Sequence, residues 1–437
     1  MAMKSLMAWQ RLFFLAIASL VAPTFGYSQE LERVFTIHNR GAVRGENLHD
    51  TSIYSPKSAI FHPDGQKFYV NSLEGFNTTV YSWPDLTKLE TVEHSFDGES
   101  SHLFKGSEST IFGLKYNSRI PADGPNVFQG KPVEFSFSHG GRFLWISYYR
   151  RSFDRHAVSP SAIAIVDTNL DKIVRVMPTG PLPKMLATSP DGQFLVVTHW
   201  GNNTLGVIDI RSDDPMQFRY IRELTVGKSL NLKFLRGTDR DSVCGFCLRG
   251  TTFSPDSSLL FVARMSKSGP GVSVFSVKDW SHRAWLRGFP STPRHIRVNT
   301  SQSMLYVSSN AAGYISRISL KTIDDLIRKP ISKGVSISKL IEKIWVGAGA
   351  RTFDFSVEGD LLFTTVNNSA RVKAVDISKD RMKVVAETKV HSFPVGLAVG
   401  PGNYIVTTSQ GKRGRFGGNA VDIIKWTLPS PAKKVAN

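Results

Sequence analysis

The sequence predicts an all-β chain, a seven-bladed β-propeller with four antiparallel strands per blade, and three observations predict it. A strand–turn–strand unit recurs seven times, each copy too small to bury its own faces. Its strands are short, apolar and rich in β-branched residues, as sheets covered on both faces require. The last copy ends one strand short, while an unassigned strand precedes the first, so the chain has the parts to close a ring.

The first 28 residues read as a targeting segment. Lys4 and Arg11 make a positive leader, Leu12 to Ala22 an apolar stretch of signal-peptide length, and the small residues Gly26 and Ser28 a cleavage site before Gln29. The apolar run is short for a membrane span, and no cysteine lies nearby to take a lipid. The expectation is a periplasmic or secreted protein that is not integral to a membrane.

Leu31 to Ile37 (LERVFTI) is the strand without a partner in sequence. The clearest repeat follows at Pro183 to Ile210, where MLAT leads into Ser189-Pro190-Asp191-Gly192, FLVVT follows, and LGVIDI comes after Gly201-Asn202-Asn203. Proline pre-sets one turn dihedral and glycine supplies the positive φ. The residues before the equivalent turns are Phe61, Phe137, Thr188, Phe253, Val298, Phe355 and Val399. Fourth strands fit most gaps, as in KLETV, KIVRVM, YIRELTV, HRAWLRG and KVVAETKV.

Two insertions explain the uneven spacing. Residues 94 to 130 are rich in Gly, Ser and Asn, with a short strand expected at IFGLKY. Residues 320 to 343 include LKTIDDLIRK, whose Ile323, Leu326 and Ile327 share one helical face. Residues 431 to 437 read as a disordered tail. Two separate β domains are the alternative, but no Pro/Ser-rich linker divides residues 29 to 430.

The segment FLVVTHWGNNTLGVIDI, after SPDG, resembles the YVTN-type propeller repeat of exported bacterial and archaeal surface proteins. The resemblance spans essentially the whole mature chain and implies seven blades. It implies little about activity, since related propellers include nucleic-acid binders, lactonases and scaffold subunits. The signature asparagine is replaced by His199 here and by Arg264 in the fourth copy.

Charge supplies the functional lead. Lys plus Arg number 54 against 36 Asp plus Glu, a formal net charge of +18, which speaks to partners rather than to fold. In a propeller, the loops entering the innermost strand and those joining the second and third strands lie on one face, around the channel mouth. Aligned entries to the inner strand give Lys57, Val133, Lys184, Arg249, Arg294, Arg351 and Val395. Five cations around a channel roughly 10 Å across form ten pairs, each costing about 0.4 kcal/mol even at the dielectric of water. Either the side chains turn outward into solvent or an anion offsets the cost.

The loops joining second and third strands add Arg150, Arg151 and Arg155, then Arg264 and Lys267, then Lys412, Arg413 and Arg415, among the aromatics Tyr148, Tyr149, Trp200 and Phe416. Arginine with aromatics suits nucleic acid, acidic glycans or anionic headgroups equally. Cys244 and Cys247, two residues before Arg249, read as a local disulfide, as export would favour. A redox pair belongs on a βαβ unit, haem attachment would need His where Leu248 stands, and zinc would need two further ligands.

No catalytic, metal or cofactor motif stands out. His199 and His295 are the acid–base candidates, and Glu74 and Glu134 the nearest carboxylates. The reading is therefore a monomeric, non-enzymatic exported propeller whose basic face takes an anionic ligand or macromolecule (nucleic acid, acidic glycan or an envelope component). The rival is a hydrolase, lactonase or lyase acting on a small acidic or cyclic ester in the channel. A scaffold subunit with an envelope protein partner is the third.

Overall fold

The computed structural model describes residues 30–40, 47–106, 110–116, 122–232, 237–266, 269–328, 334–411 and 418–427. Seven antiparallel sheets of four or five strands form a seven-bladed β-propeller. The inner strands are Pro56–Phe61, Phe128–Ser138, Pro183–Thr188, Leu248–Phe253, Pro293–Asn299, Ala350–Phe355 and Pro394–Gly400. They begin blades one to seven in chain order. The expected signal segment and tail lie outside the described residues.

Blade seven takes its outer strand from the N-terminal end of the chain. Glu30–His38 pairs antiparallel with Ala420–Thr427, from Leu31 opposite Trp426 to His38 opposite Ala420. The buried Asp422 carboxylate clasps this closure, accepting from Thr36 Oγ1 at 2.8 Å and from the His391 backbone N–H at 2.8 Å.

Each sheet buries both faces against its neighbours. Among the described residues, seven apolar clusters each bridge two adjacent blades. Phe143, Trp145 and Ile165 of blade two, for example, pack on Leu186, Leu195 and Val197 of blade three. The core is therefore spread between blades, which explains the long apolar runs. At the turn after the inner strand, Gly65, Gly192, Gly359 and Gly402 all have φ between 72° and 74°, and Ser257 adopts φ 60° in the fourth copy.

The insertions are decorations on this frame. IFGLKY makes a two-stranded hairpin of Thr110–Ile111 and Leu114–Lys115, and its Phe112 lies 5.0 Å from the Tyr220 ring. Leu320–Ile327 is a helix capped by Ser319, with Ile323 and Ile327 buried and Leu326 packed beside them. No helix among the described residues is long and apolar enough to cross a membrane.

Candidate functional site: a cation-ringed channel mouth

Every inner strand carries the same local device. Its pairing with the second strand slips just after the first residue, between Pro56 and Ser58, Pro183 and Met185, Leu248 and Thr251, Pro293 and Ile296, and Ala350 and Phe353. The equivalent slips in blades two and seven follow Pro132 and Pro394. Such bulges re-aim a side chain out of the ladder. The slip falls on the aligned position of each blade, which is Lys57, Val133, Lys184, Arg249, Arg294, Arg351 or Val395. In six blades a left-handed residue stands just before the strand: Ser55, Leu182, Cys247, Thr292, Gly349 and Phe393. It turns the incoming loop so that the next two residues enter over the channel.

Neighbouring blades fix these backbones. The carbonyls of Val133, Arg249, Arg351 and Val395 accept from Ser58 Oγ, Thr198 Oγ1, Ser308 Oγ and Thr352 Oγ1 of the preceding blade, at 2.7, 3.1, 2.6 and 2.7 Å. Rigid strands thus hold the ring in register.

The result is a cavity of about 300 Å³ lined by Lys57, Lys184, Arg249, Arg294 and Arg351, with Tyr149, Trp200, Val133, Leu73 and Asp241. Two of the five cations have carboxylate partners. Lys184 Nζ donates to Asp241 at 3.1 Å and sits over the Tyr149 and Trp200 rings, 3.9 and 5.0 Å from their centroids. Arg249 Nη2 donates to Glu134 at 2.7 Å.

The other three have no carboxylate within ion-pair distance among the described residues. Arg294 reaches Met265 Sδ at 3.4 Å, and Arg351 meets the Asn367 amide oxygen at 3.0 Å while its Nε stays buried without an acceptor. The Lys57 ammonium has neither an ion pair nor a hydrogen bond among the described residues. Arg249, Arg294, Arg351 and Lys184 are each at most 9% exposed, so bulk water does little to screen them.

Proton affinities register this crowding. Burial, then Arg351, Arg249 and Arg294, depress Lys57 well below the usual lysine range, against the pull of Glu134. Burial brings Lys184 down to about 7 even with Asp241 beside it. Burial and the neighbouring Arg249 push Arg351 down to about 9, still protonated at neutral pH. Burial raises Asp241, but Lys184 and the Tyr149 hydroxyl outweigh it and hold the carboxyl at about 2.

Other sequence candidates lie elsewhere. Arg150 braces the wall, donating to the Tyr149 hydroxyl at 2.7 Å. Arg151 is buried away from the cavity, its guanidinium 4.2 Å from the Tyr116 ring centroid and donating to the Tyr116 carbonyl at 2.5 Å. Arg264 is sandwiched between Phe246 and Trp285, at 3.8 and 4.1 Å, and does not line the cavity. Tyr148 is buried against His94. Lys267, Lys412, Arg413, Arg415 and Phe416 lie outside the described residues.

His199 does not reach the mouth. Its ring is inside blade three, Nε2 sharing Thr179 Oγ1 at 2.8 Å with the Gly180 N–H at 3.1 Å, and Nδ1 meeting Thr204 Oγ1 at 2.8 Å. Burial lowers it to about 3, so it stays neutral as a polar clip between strands. His295 lines a deeper channel cavity of about 490 Å³, edge-on to Phe353 at 4.9 Å. Glu74 pairs with Lys131 at 2.6 Å. Cys244 and Cys247 are disulfide-bonded.

Sequence alignment of the repeats missed Asp241. It lies in the irregular segment before blade four, and only its closeness to Cys244 and Arg249 in DRDSVCGFCLR could have drawn notice. No group of three or more His, Cys, Asp or Glu among the described residues could hold a metal ion.

No family model matches the chain, and no curated protein matches it. In fold it is similar to a solved chain of Kuenenia stuttgartiensis hydrazine synthase, with a TM-score of 0.58 at 13% identity, covering 89% of this chain and 100% of that one. A likeness at that identity speaks to the propeller fold.

Proposed function

We propose that this is an exported binding propeller whose channel mouth takes up an anionic ligand, or an anionic group presented by a partner. One observation carries the reading: Lys57, Arg294 and Arg351 face a shared cavity with no carboxylate among the described residues paired to any of them. Burying unpaired charge is costly, and the lining sets five basic side chains against the Asp241 carboxylate, with Glu134 reaching Arg249 from the neighbouring channel cavity. An anion would remove that cost, and planar guanidinium groups suit carboxylate, phosphate or sulfate oxygens. The positive leader, apolar stretch and small-residue cleavage site support export, and the local disulfide is compatible with it.

Citrate, inorganic phosphate and sulfate are suitable calorimetric probes. Reversing Arg294→Glu and Arg351→Glu together replaces two guanidinium charges that lack a carboxylate partner among the described residues with two negative charges. The expected outcome is at least about 100-fold weaker binding and a flattened salt dependence. Equal affinity for all three anions in the double variant and the parent would overturn the proposal.

A further inference from the structure

Of the two lysines at the mouth, one is held and the other has no partner among the described residues. Lys184 is engaged by Asp241 and by the faces of Tyr149 and Trp200. Lys57 lines the same cavity with its nitrogen unengaged among the described residues, while the three guanidinium groups of Arg249, Arg294 and Arg351 act on it electrostatically. The carboxylate that could offset them, Glu134, is bonded to Arg249. A lysine desolvated beside other cations is the arrangement that yields a nucleophilic neutral amine. Arg294 and Arg351, without carboxylate partners among the described residues, are placed to hold a ligand carboxylate next to it.

We propose that the channel mouth captures small carboxylates that also carry an aldehyde or ketone, such as 2-oxo acids, and that Lys57 binds them covalently as an imine. This rests on the anion-binding reading above and names the ligand class. In the step, the Lys57 nitrogen lone pair attacks the carbonyl carbon while the C=O π pair moves to oxygen. The two amine protons leave with that oxygen as water, and a C=N bond remains. No oxidant or reductant is consumed. Protonation of the imine restores a positive charge, which the bound carboxylate offsets in place. The cavity of about 300 Å³ sits at the small end of the range for ligand pockets, which fits a compact acid rather than a polymer. Tyr149 and Trp200 give its apolar part a wall.

Reductive trapping tests this on the whole folded protein. Glyoxylate with cyanoborohydride at neutral pH should leave one carboxymethyl group per chain, mapped by peptide mass to Lys57. Its amine should react at least about tenfold faster than lysines outside the cavity, because a carboxylate held by Arg294 and Arg351 would bring the carbonyl carbon beside it. Pyruvate should label the same nitrogen, and acetaldehyde, which lacks the carboxylate, should label it at least about tenfold more slowly. Lys57→Arg keeps the charge and should abolish the label, and oxalate should compete with glyoxylate in the parent protein. Label scattered over many lysines, or equal labelling by acetaldehyde, would sink the proposal without reference to any variant. If calorimetry finds oxalate binding but no trapping occurs, the imine fails and the anion site stands. If oxalate does not bind either, both fail.

Discussion

The two ends of the channel are built from the same seven inner strands, yet they handle charge in opposite ways. Towards the turns, the channel widens to about 490 Å³ between Ile60, Phe137, Thr188 and Val399, and its Arg297 is matched by Asp354. That carboxylate also accepts from the Val399 N–H at 3.1 Å, and Arg297 is half in solvent. At the mouth, five cations meet two carboxylates, and four of the five are buried. The protein thus neutralises a channel cation at the end where water could already have hydrated it, and leaves the buried Arg294 and Arg351 without carboxylate partners among the described residues. This contrast distinguishes a site from ordinary surface charge, because solvated cations need no further partner.

The strongest lever on the difference is pH. Lys184 titrates near 7 in the fold, whereas an unfolded chain holds that proton to about 10.4. Between these values the unfolded state binds more protons than the native state, so stability must rise with pH across that window. The slope approaches 1.4 kcal/mol per pH unit, an order-of-magnitude figure for one such group, and below about 7 the penalty is fully present. Lys57, also depressed, acts with the same sign. Urea midpoints should climb from pH 7 to 9.5 in the parent and climb less in Lys184→Met. A flat profile in the parent would erase the contrast between the two ends. Binding and trapping should respond oppositely: citrate binds more tightly as the lysines gain protons on acidification, while glyoxylate trapping at Lys57 slows.

Much of this was legible in the sequence because the repeat supplies its own alignment. SPDG-type turns and β-branched runs locate the blades, and a fixed offset from each turn locates Lys57, Lys184, Arg249, Arg294 and Arg351. The spare strand at Leu31 pairs with the last blade for the same reason. Residues outside the repeat were not legible. Arg151 and Arg264 look like loop charge, but aromatic rings from insertions and neighbouring strands swallow them. His199 sits three residues before the first turn asparagine, yet strand alternation points it inward, where Thr179, Thr204 and the Gly180 amide engage it. Asp241 belongs to no repeat, so only its path in space reveals that it holds Lys184.

The loop bearing Asp241 offers a smaller perturbation of the same end. Cys244 and Cys247 close a short ring between Asp241 and Arg249, and the Phe246 N–H donates to Asn203 Oδ1 at 2.7 Å. Replacing both cysteines by serine removes a constraint worth about 2 kcal/mol by loop-closure entropy. The urea midpoint should fall accordingly. Citrate affinity should drop about threefold, because Arg249 and the Asp241–Lys184 pair are held less firmly. Unchanged affinity at lowered stability would show that blade-to-blade hydrogen bonds alone keep the ring in place.

The mildest test sits at the opposite end. Arg297→Ala removes the partner of Asp354, but that carboxylate keeps its bonds from the Val399 and Phe355 N–H groups at 3.1 and 2.9 Å. With the arginine half exposed, the loss should stay below about 1 kcal/mol. Citrate affinity should change by less than about twofold, since the removed charge was already neutralised in place. Calorimetry on this variant separates two pictures of the channel. If Arg297→Ala weakened citrate as much as the reversal at Arg294 and Arg351, the attraction would belong to the summed charge of a basic protein. If only the mouth variants respond, it belongs to the particular cations that the bulges aim into one buried cavity.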